Sequence, residues 1–121
     1  MAFRFLQFKV YQDAKVLHRR TVFTTKSFPR VFYYLRDQVR RSSLSVALTI
    51  AEGSAKKSDK DFNRYIQMSL GSANETASSF DIAFDCRLIS KDEYQEIIVL
   101  CEIVTNQLGG FSKKLLVSTK S

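Results

Sequence analysis

The sequence predicts an all-α fold: an up-and-down antiparallel four-helix bundle, built as one domain over residues 1–121. Three observations predict it. Turn-formers are scarce, with four glycines and one proline, so reversals are few and the elements between them are long. Apolar residues recur at spacings of three and four along four separate stretches, the period of a helix, and no stretch alternates as a strand would. Short connections between those stretches make consecutive helices antiparallel neighbours. A hydrophobic content of 45% is enough to build a core without disulfide or metal staples at this length.

The first helix is expected over about residues 7–25, where Val10, Ala14, Leu17 and Thr21 step by three or four. Phe3–Leu6 reads as a looser lead-in, and the β-branched pair Thr24-Thr25 weakens the helix at its end. Ser27 or Phe28 stands at the next cap, and Pro29 suits a first turn because its missing N–H costs nothing there. The second helix is expected over about residues 30–52. Its core stripe is Phe32, Leu35, Val39, Ser42, Val46 and Ile50, and Gly53 is placed as a left-handed C-cap. Leu44 and Leu48 fall on a second apolar face, which predicts an oligomer interface.

Ser58 followed by Asp59 and Asp61 is a helix start, a capping hydroxyl with acids in the first turn. The third helix is expected over about residues 59–88, with a stripe of Phe62, Ile66, Ser69, Ala73, Ala77, Phe80, Phe84 and Leu88. Its narrow middle, Gly71-Ser72-Ala73, predicts a close approach to the Ser42-Ser43 step. Ser90 and Glu93 form a capping box for the fourth helix, expected over about residues 91–115. Tyr94, Ile97, Cys101, Val104, Leu108, Phe111 and Leu115 make its stripe. Gly109-Gly110 is a candidate kink, and the tail from Leu116 has little to bury.

The net charge of +7 is uneven. Residues 1–57 carry 12 Lys/Arg against three acids, a net +9, while residues 58–121 carry 7 against 9, a net −2. A basic half suits a polyanion surface. It equally suits head-to-tail attraction between copies, or a merely solvated face. Lys15 and Arg19 are four apart, as are Arg36 and Arg40, so each pair shares a helical face. With Lys56 and Lys57 of the linker they are the candidate nucleic-acid contacts, and Tyr11, Tyr33 and Tyr34 lie among them as candidate stacking surfaces.

Glu52 and Glu75 lie among small and apolar residues. A partly buried carboxylate needs a cation, so a structural ion pair with Arg41 is expected, with Arg41 inward and Arg40 continuing an exposed Arg36 face. As a catalytic pair the two acids would need a pocket that the sequence does not signal. The one histidine, His18, sits among Lys15, Arg19 and Arg20, which repel cations, so no metal is expected. Helical RNases of the HEPN type need an arginine four to six residues before a histidine, and His18 has none there. No phosphate-cradling glycine loop appears. No enzyme and no cofactor are expected. Cys86 and Cys101 both fit apolar positions of separate helices. They differ in height by roughly 12 Å if those helices form a hairpin near Ser90, so free thiols and a cytoplasmic setting are expected. Neither a signal peptide nor a membrane span is expected.

The chain resembles the four-helix-bundle proteins encoded in intervening sequences of bacterial 23S ribosomal RNA genes. The resemblance runs over about residues 8–111. It is carried by Phe8–Ala14, Phe28-Pro29, Tyr34-Leu35, Gln38, Arg40-Arg41, Ser45-Val46 and Ile50-Ala51-Glu52-Gly53. It continues with Ser58, Asp61-Phe62, Arg64-Tyr65, Gly71-Ser72 and Glu75. Thr49 stands where the family usually has Asn, and Val31-Phe32 where it often has an acid. The resemblance implies a ring-like homopentamer, an RNA link and no established catalysis. A related group, the accessory proteins of diversity-generating retroelements, implies a scaffold in nucleic-acid metabolism. The expected protein is therefore a non-enzymatic, oligomeric RNA-binding or RNA-associated scaffold. The alternative is a protein–protein scaffold without nucleic-acid contact.

Overall fold

The computed structural model describes residues 3–120, with side chains as far as Ser118; Met1, Ala2 and Ser121 lie outside the described residues. Four α-helices form: α1 (Lys9–Thr25), α2 (Tyr33–Ser54), α3 (Asp59–Asp85) and α4 (Lys91–Lys120). Two 3-10 turns, Arg4–Gln7 and Arg30–Phe32, lead into α1 and α2. Each helix packs on the next and α4 closes on α1, while diagonal helices make no close backbone approach. This is the up-and-down bundle that the sequence predicts, with no strand among the described residues.

One apolar cluster fills the centre. Ala14, Leu17, Val39, Val46, Ile50, Phe62, Ile66, Phe80, Ile97, Val104 and Leu108 are essentially closed to water. Each such Leu, Ile or Phe contributes about 1.5–3 kcal/mol by leaving water. The α2–α3 contact is different, because it is hydroxylated. Ser42 and Thr76 share a hydrogen bond of 2.9 Å, Ser72 donates to Ser45 at 3.0 Å, and Ser69 donates to the Val46 carbonyl at 2.8 Å. These small side chains let the two helices come close and set their register.

Both helix starts that the sequence signals are built as expected. Ser58 accepts from the Asp61 N–H, and Ser90 and Glu93 exchange reciprocal side-chain-to-backbone bonds at 2.9 and 3.1 Å. At one end of the bundle Phe8, Phe62 and Phe111 form a ring cluster with centroids 5.1–6.3 Å apart. Arg4 lies over Phe62 and donates to the Ser54 carbonyl at 2.9 Å, so the first 3-10 turn caps the C-terminus of α2. At the other end Phe84 stacks on Tyr94 at 4.8 Å.

Several boundaries and glycine roles differ from expectation. Pro29 precedes the 3-10 turn in extended conformation, and Phe28 is buried instead of capping. Gly53 is not a left-handed cap: it lies inside α2, and no glycine among the described residues has positive φ. A Cβ there would stand 2.7 Å from Tyr65 Cβ and 2.8 Å from Phe62 Cδ1, so α3 starts against bare backbone. Gly71, expected at the close approach, is exposed with nothing within 4 Å of a Cβ. The hydroxyls, not this glycine, make the seam.

α3 ends at Asp85, three residues early. The Leu88 N–H bonds Ala83 and the Arg87 N–H bonds Phe84, a Schellman closure with Arg87 at φ 62°. Phe84 and Cys86 are therefore exposed, and Leu88 is only half-buried. Cys101 is buried, which pushes its thiol up to about 11, and both cysteines are free. α4 continues through Gly109-Gly110 and past Leu115 to Lys120 without a break. No helix among the described residues is long and apolar enough to cross a membrane.

The glycine contrast has a direct test. Gly53→Ala should lower unfolding stability by about 1–3 kcal/mol, because fixed atoms of Phe62 and Tyr65 must give way. Gly71→Ala should raise it by up to about 1 kcal/mol, because it adds helix propensity in open space. Urea unfolding midpoints measure both. The same assay should show Arg87→Gly stabilising by about 1 kcal/mol, since a left-handed arginine carries a Cβ penalty that glycine lacks.

Candidate nucleic-acid interface

The candidate basic residues divide between the α1–α2 seam and other surfaces. Two polar links cross that seam and fix what faces what. His18 Nδ1 lies 2.8 Å from Ser43 Oγ. Arg40 Nε donates to Thr25 Oγ1 at 2.8 Å, and its Nη2 donates to the Val22 carbonyl at 3.2 Å. Ser43 is one residue past Ser42, about 100° around the helix, so the adjacent serines serve opposite neighbours. With this antiparallel register the seam runs from Lys15 past His18 to Arg40 and Arg36, Lys15 toward one end and Arg36 toward the other.

Arg40 is therefore the half-buried arginine, and Arg41 is exposed. The expected assignment is reversed. Arg41 donates to Gln38 on its own helix, and Gln38 in turn donates to Glu75 on α3. Glu52 is exposed, and its side chain makes no hydrogen bond or ion pair among the described residues. The expected Arg41–Glu75 or Arg41–Glu52 ion pair does not form. Gln38 stands between Arg41 and Glu75, accepting from the one and donating to the other, while Arg36 and Arg40 share the α1 side of α2. The i, i+4 reading of those two as one face holds, but that face is a seam and not a free surface.

No carboxylate neutralises Arg40, whose partners are a hydroxyl and a carbonyl. Arg36 lies 3.6 Å over the Tyr33 ring and also pairs with Asp37 at 2.9 Å. Lys15 lies 5.1 Å over the Tyr11 ring. Tyr11 and Tyr33 thus hold cations in place. Tyr34 keeps an exposed ring, although Phe32 packs near it at 6.1 Å.

The remaining candidates lie elsewhere. Arg19 is exposed on the outer side of α1. Lys56 and Lys57 follow α2, roughly 24 Å along the axis from Arg40 at 1.5 Å per residue. Lys56 sits 4.7 Å over Tyr65, and Lys57 is exposed. They belong to the opposite end of the bundle and do not join the seam.

His18 is the residue that sequence reasoning passed over, having weighed it as a metal ligand and as a ribonuclease histidine and not as a nucleic-acid contact. Burial pushes its imidazole below the ordinary value, and the Arg40 charge adds to that. Its only sequence signal was its place three residues after Lys15, on the same flank. No group of three His, Cys, Asp or Glu that could hold a metal occurs among the described residues.

Leu44 and Leu48 lie on the outer side of α2, 42% and 49% exposed. The Ser69–Val46 and Ser72–Ser45 bonds bring Met68, 51% exposed, beside Leu48. On the opposite side of the bundle, Val16, Val99 and Leu100 line a shallow groove of about 540 Å³ between α1 and α4, with the Arg20–Glu96 ion pair at its edge. Glu52 and Glu75 are not among the residues lining this groove.

The two arginines can be told apart by stability. Arg40→Ala should cost about 1–2 kcal/mol, since it strips donors from Thr25 and Val22. Arg41→Ala should stay within about 0.5 kcal/mol of the parent. Equal costs in urea unfolding would contradict the seam geometry.

The model of the 23S rRNA-intervening sequence protein family matches residues 6–110, and the chain belongs to that family. No curated protein matches the chain.

Proposed function

We propose that this member of the 23S rRNA-intervening sequence protein family is a non-enzymatic, oligomeric, RNA-associated scaffold that holds RNA phosphates along its α1–α2 seam. The observation that carries this reading is the uncancelled charge of Arg40. Its guanidinium is oriented by neutral oxygens only, and Lys15 and Arg36 extend the positive row on either side. Among the described residues, Asp37 is the one acid paired into that row. Fixed cations of this kind suit a phosphodiester backbone, which is read by charge and spacing and not by sequence. A cytoplasmic setting fits the two free thiols.

Assembly is the second part of the reading. Leu44, Leu48 and Met68 on one side, and Val16 and Val99 on the other, are two unlike apolar faces on opposite flanks. Unlike faces favour a heterologous contact, which closes into a ring or runs on as a filament. A ring fits the homopentamer that the family resemblance implies. The same faces also support the alternative, a protein scaffold that touches no nucleic acid.

Two measurements separate these readings. Binding to structured RNA and to duplex DNA across a salt series should weaken steeply with salt. Neutralising Lys15, Arg36 and Arg40 together should reduce the log–log slope by about 0.7–0.9 for each phosphate left without its cation. Absence of RNA binding at physiological salt would leave the scaffold alone. In light scattering the wild type should exceed the 13.9 kDa of one chain, and Leu48→Asp should return it to that mass with its helices intact. A monomeric wild type would refute the assembly. A change of mass on charge reversal at Arg36 would favour the protein scaffold.

A further inference from the structure

The α1–α2 seam has two side-chain nitrogens that no group among the described residues uses. Arg40 spends Nε and Nη2 on Thr25 and Val22, and Nη1 has no partner among the described residues. His18 spends Nδ1 on Ser43, and Nε2 likewise has no partner among them. Neither nitrogen is among the enclosed, unsatisfied polar atoms of the chain, so both reach solvent. The Ser43 hydroxyl lies 2.8 Å from His18 Nδ1 and 3.2 Å from the Arg40 carbonyl oxygen, and its one hydrogen can go to either. In the tautomer whose Nδ1–H donates to Ser43, the neutral ring carries a bare lone pair at Nε2, which repels a phosphate oxygen. The protonated ring carries an N–H donor there instead.

We propose that Arg40 Nη1 and His18 Nε2 form a proton-coupled phosphate site at the α1–α2 seam, in which an RNA phosphodiester is bound with uptake of one proton by His18. This rests on the RNA-associated reading above and adds to it the residue and the switch. Without ligand the proton is disfavoured by burial and by Arg40 from α2. On its own helix, the neighbouring cations are Lys15, three residues before it, and Arg19, the next residue. On α4, which packs against α1, Glu96 is held by Arg20. An arriving phosphate supplies the missing negative charge. The sign follows: His18 titrates at higher pH in the complex than in the free protein. RNA affinity therefore strengthens as pH falls through the value of the complex, and levels off below that of the free protein.

The chain has one histidine, so its ring-proton NMR signal reports this site without ambiguity. The probe is an oligouridylate without terminal phosphates, which does not itself titrate near neutrality. In the free wild type the His18 midpoint should lie below the ordinary histidine value. At saturating oligouridylate it should rise by about one pH unit, equivalent to an approximately tenfold gain in affinity on acidification. His18→Gln, which keeps a donor for Ser43 and stays neutral, should bind with a flattened pH profile. If oligouridylate binds while the His18 midpoint stays where it was, the proton-coupled site is overturned and RNA binding stands. If it binds at neither pH 8 nor pH 5.5, RNA binding itself falls, and this site with it.

Discussion

Two adjacent hydroxyls on α2 hold the bundle in register. Ser42 bonds Thr76 on α3, and Ser43 bonds His18 on α1. Neighbouring residues on a helix point about 100° apart, so one dipeptide reaches both flanking helices at the same height. An apolar seam tolerates sliding, because methyl groups pack nearly as well a fraction of a turn away. A buried hydroxyl does not, since a missed partner costs a desolvated polar group. The rest follows from that register. Arg40 meets Val22 and Thr25, Gly53 meets the first turns of α3, and Met68 comes beside Leu48.

What was legible in the sequence is what one helix can specify alone. The apolar period placed four helices, and the hydroxyl–acid pairs at Ser58 and Ser90 placed two of their starts. What was not legible depends on which neighbour lies on which flank. Arg36 and Arg40 share a face at i, i+4 spacing, but nothing in α2 says that α1 covers it. The acids Glu52 and Glu75 were candidate partners for Arg41 by composition, but Gln38 takes Glu75 and accepts from Arg41, and Glu52 stays exposed. Glycines were misread for a related reason. A small residue permits a close approach wherever it stands, and only the packed structure shows that α3 uses the space at Gly53 and leaves Gly71 open.

A carboxylate partner on Arg40 would have worked against the proposed task. An arginine bound to a buried carboxylate is oriented and neutralised at once. An arginine bound to a threonine hydroxyl and a backbone carbonyl is oriented and keeps its charge. Partly desolvating a cation without a counter-charge is unfavourable. Here the penalty is limited, because Nη1 stays in water and Nε has a hydroxyl acceptor that donates onward to the Thr21 carbonyl. The seam thus fixes a positive charge in place and leaves it unmatched, which is the electrostatic condition for an anion to be bound there.

The same reasoning explains why His18 belongs with Arg40 and not with the core. A histidine that served only to satisfy packing would sit best with both nitrogens bonded or with apolar neighbours closed over it. His18 has one nitrogen committed and one facing out, in the field of an arginine that opposes its protonation. Each member of the pair is therefore held in a state that a negative ligand would relieve: Arg40 lacks a counter-charge, and the second proton on His18 is disfavoured. A phosphate supplies the first and, by doing so, makes the second favourable. Both side chains belong to the α1–α2 seam, where Ser43 anchors one and the turn that ends α1 anchors the other.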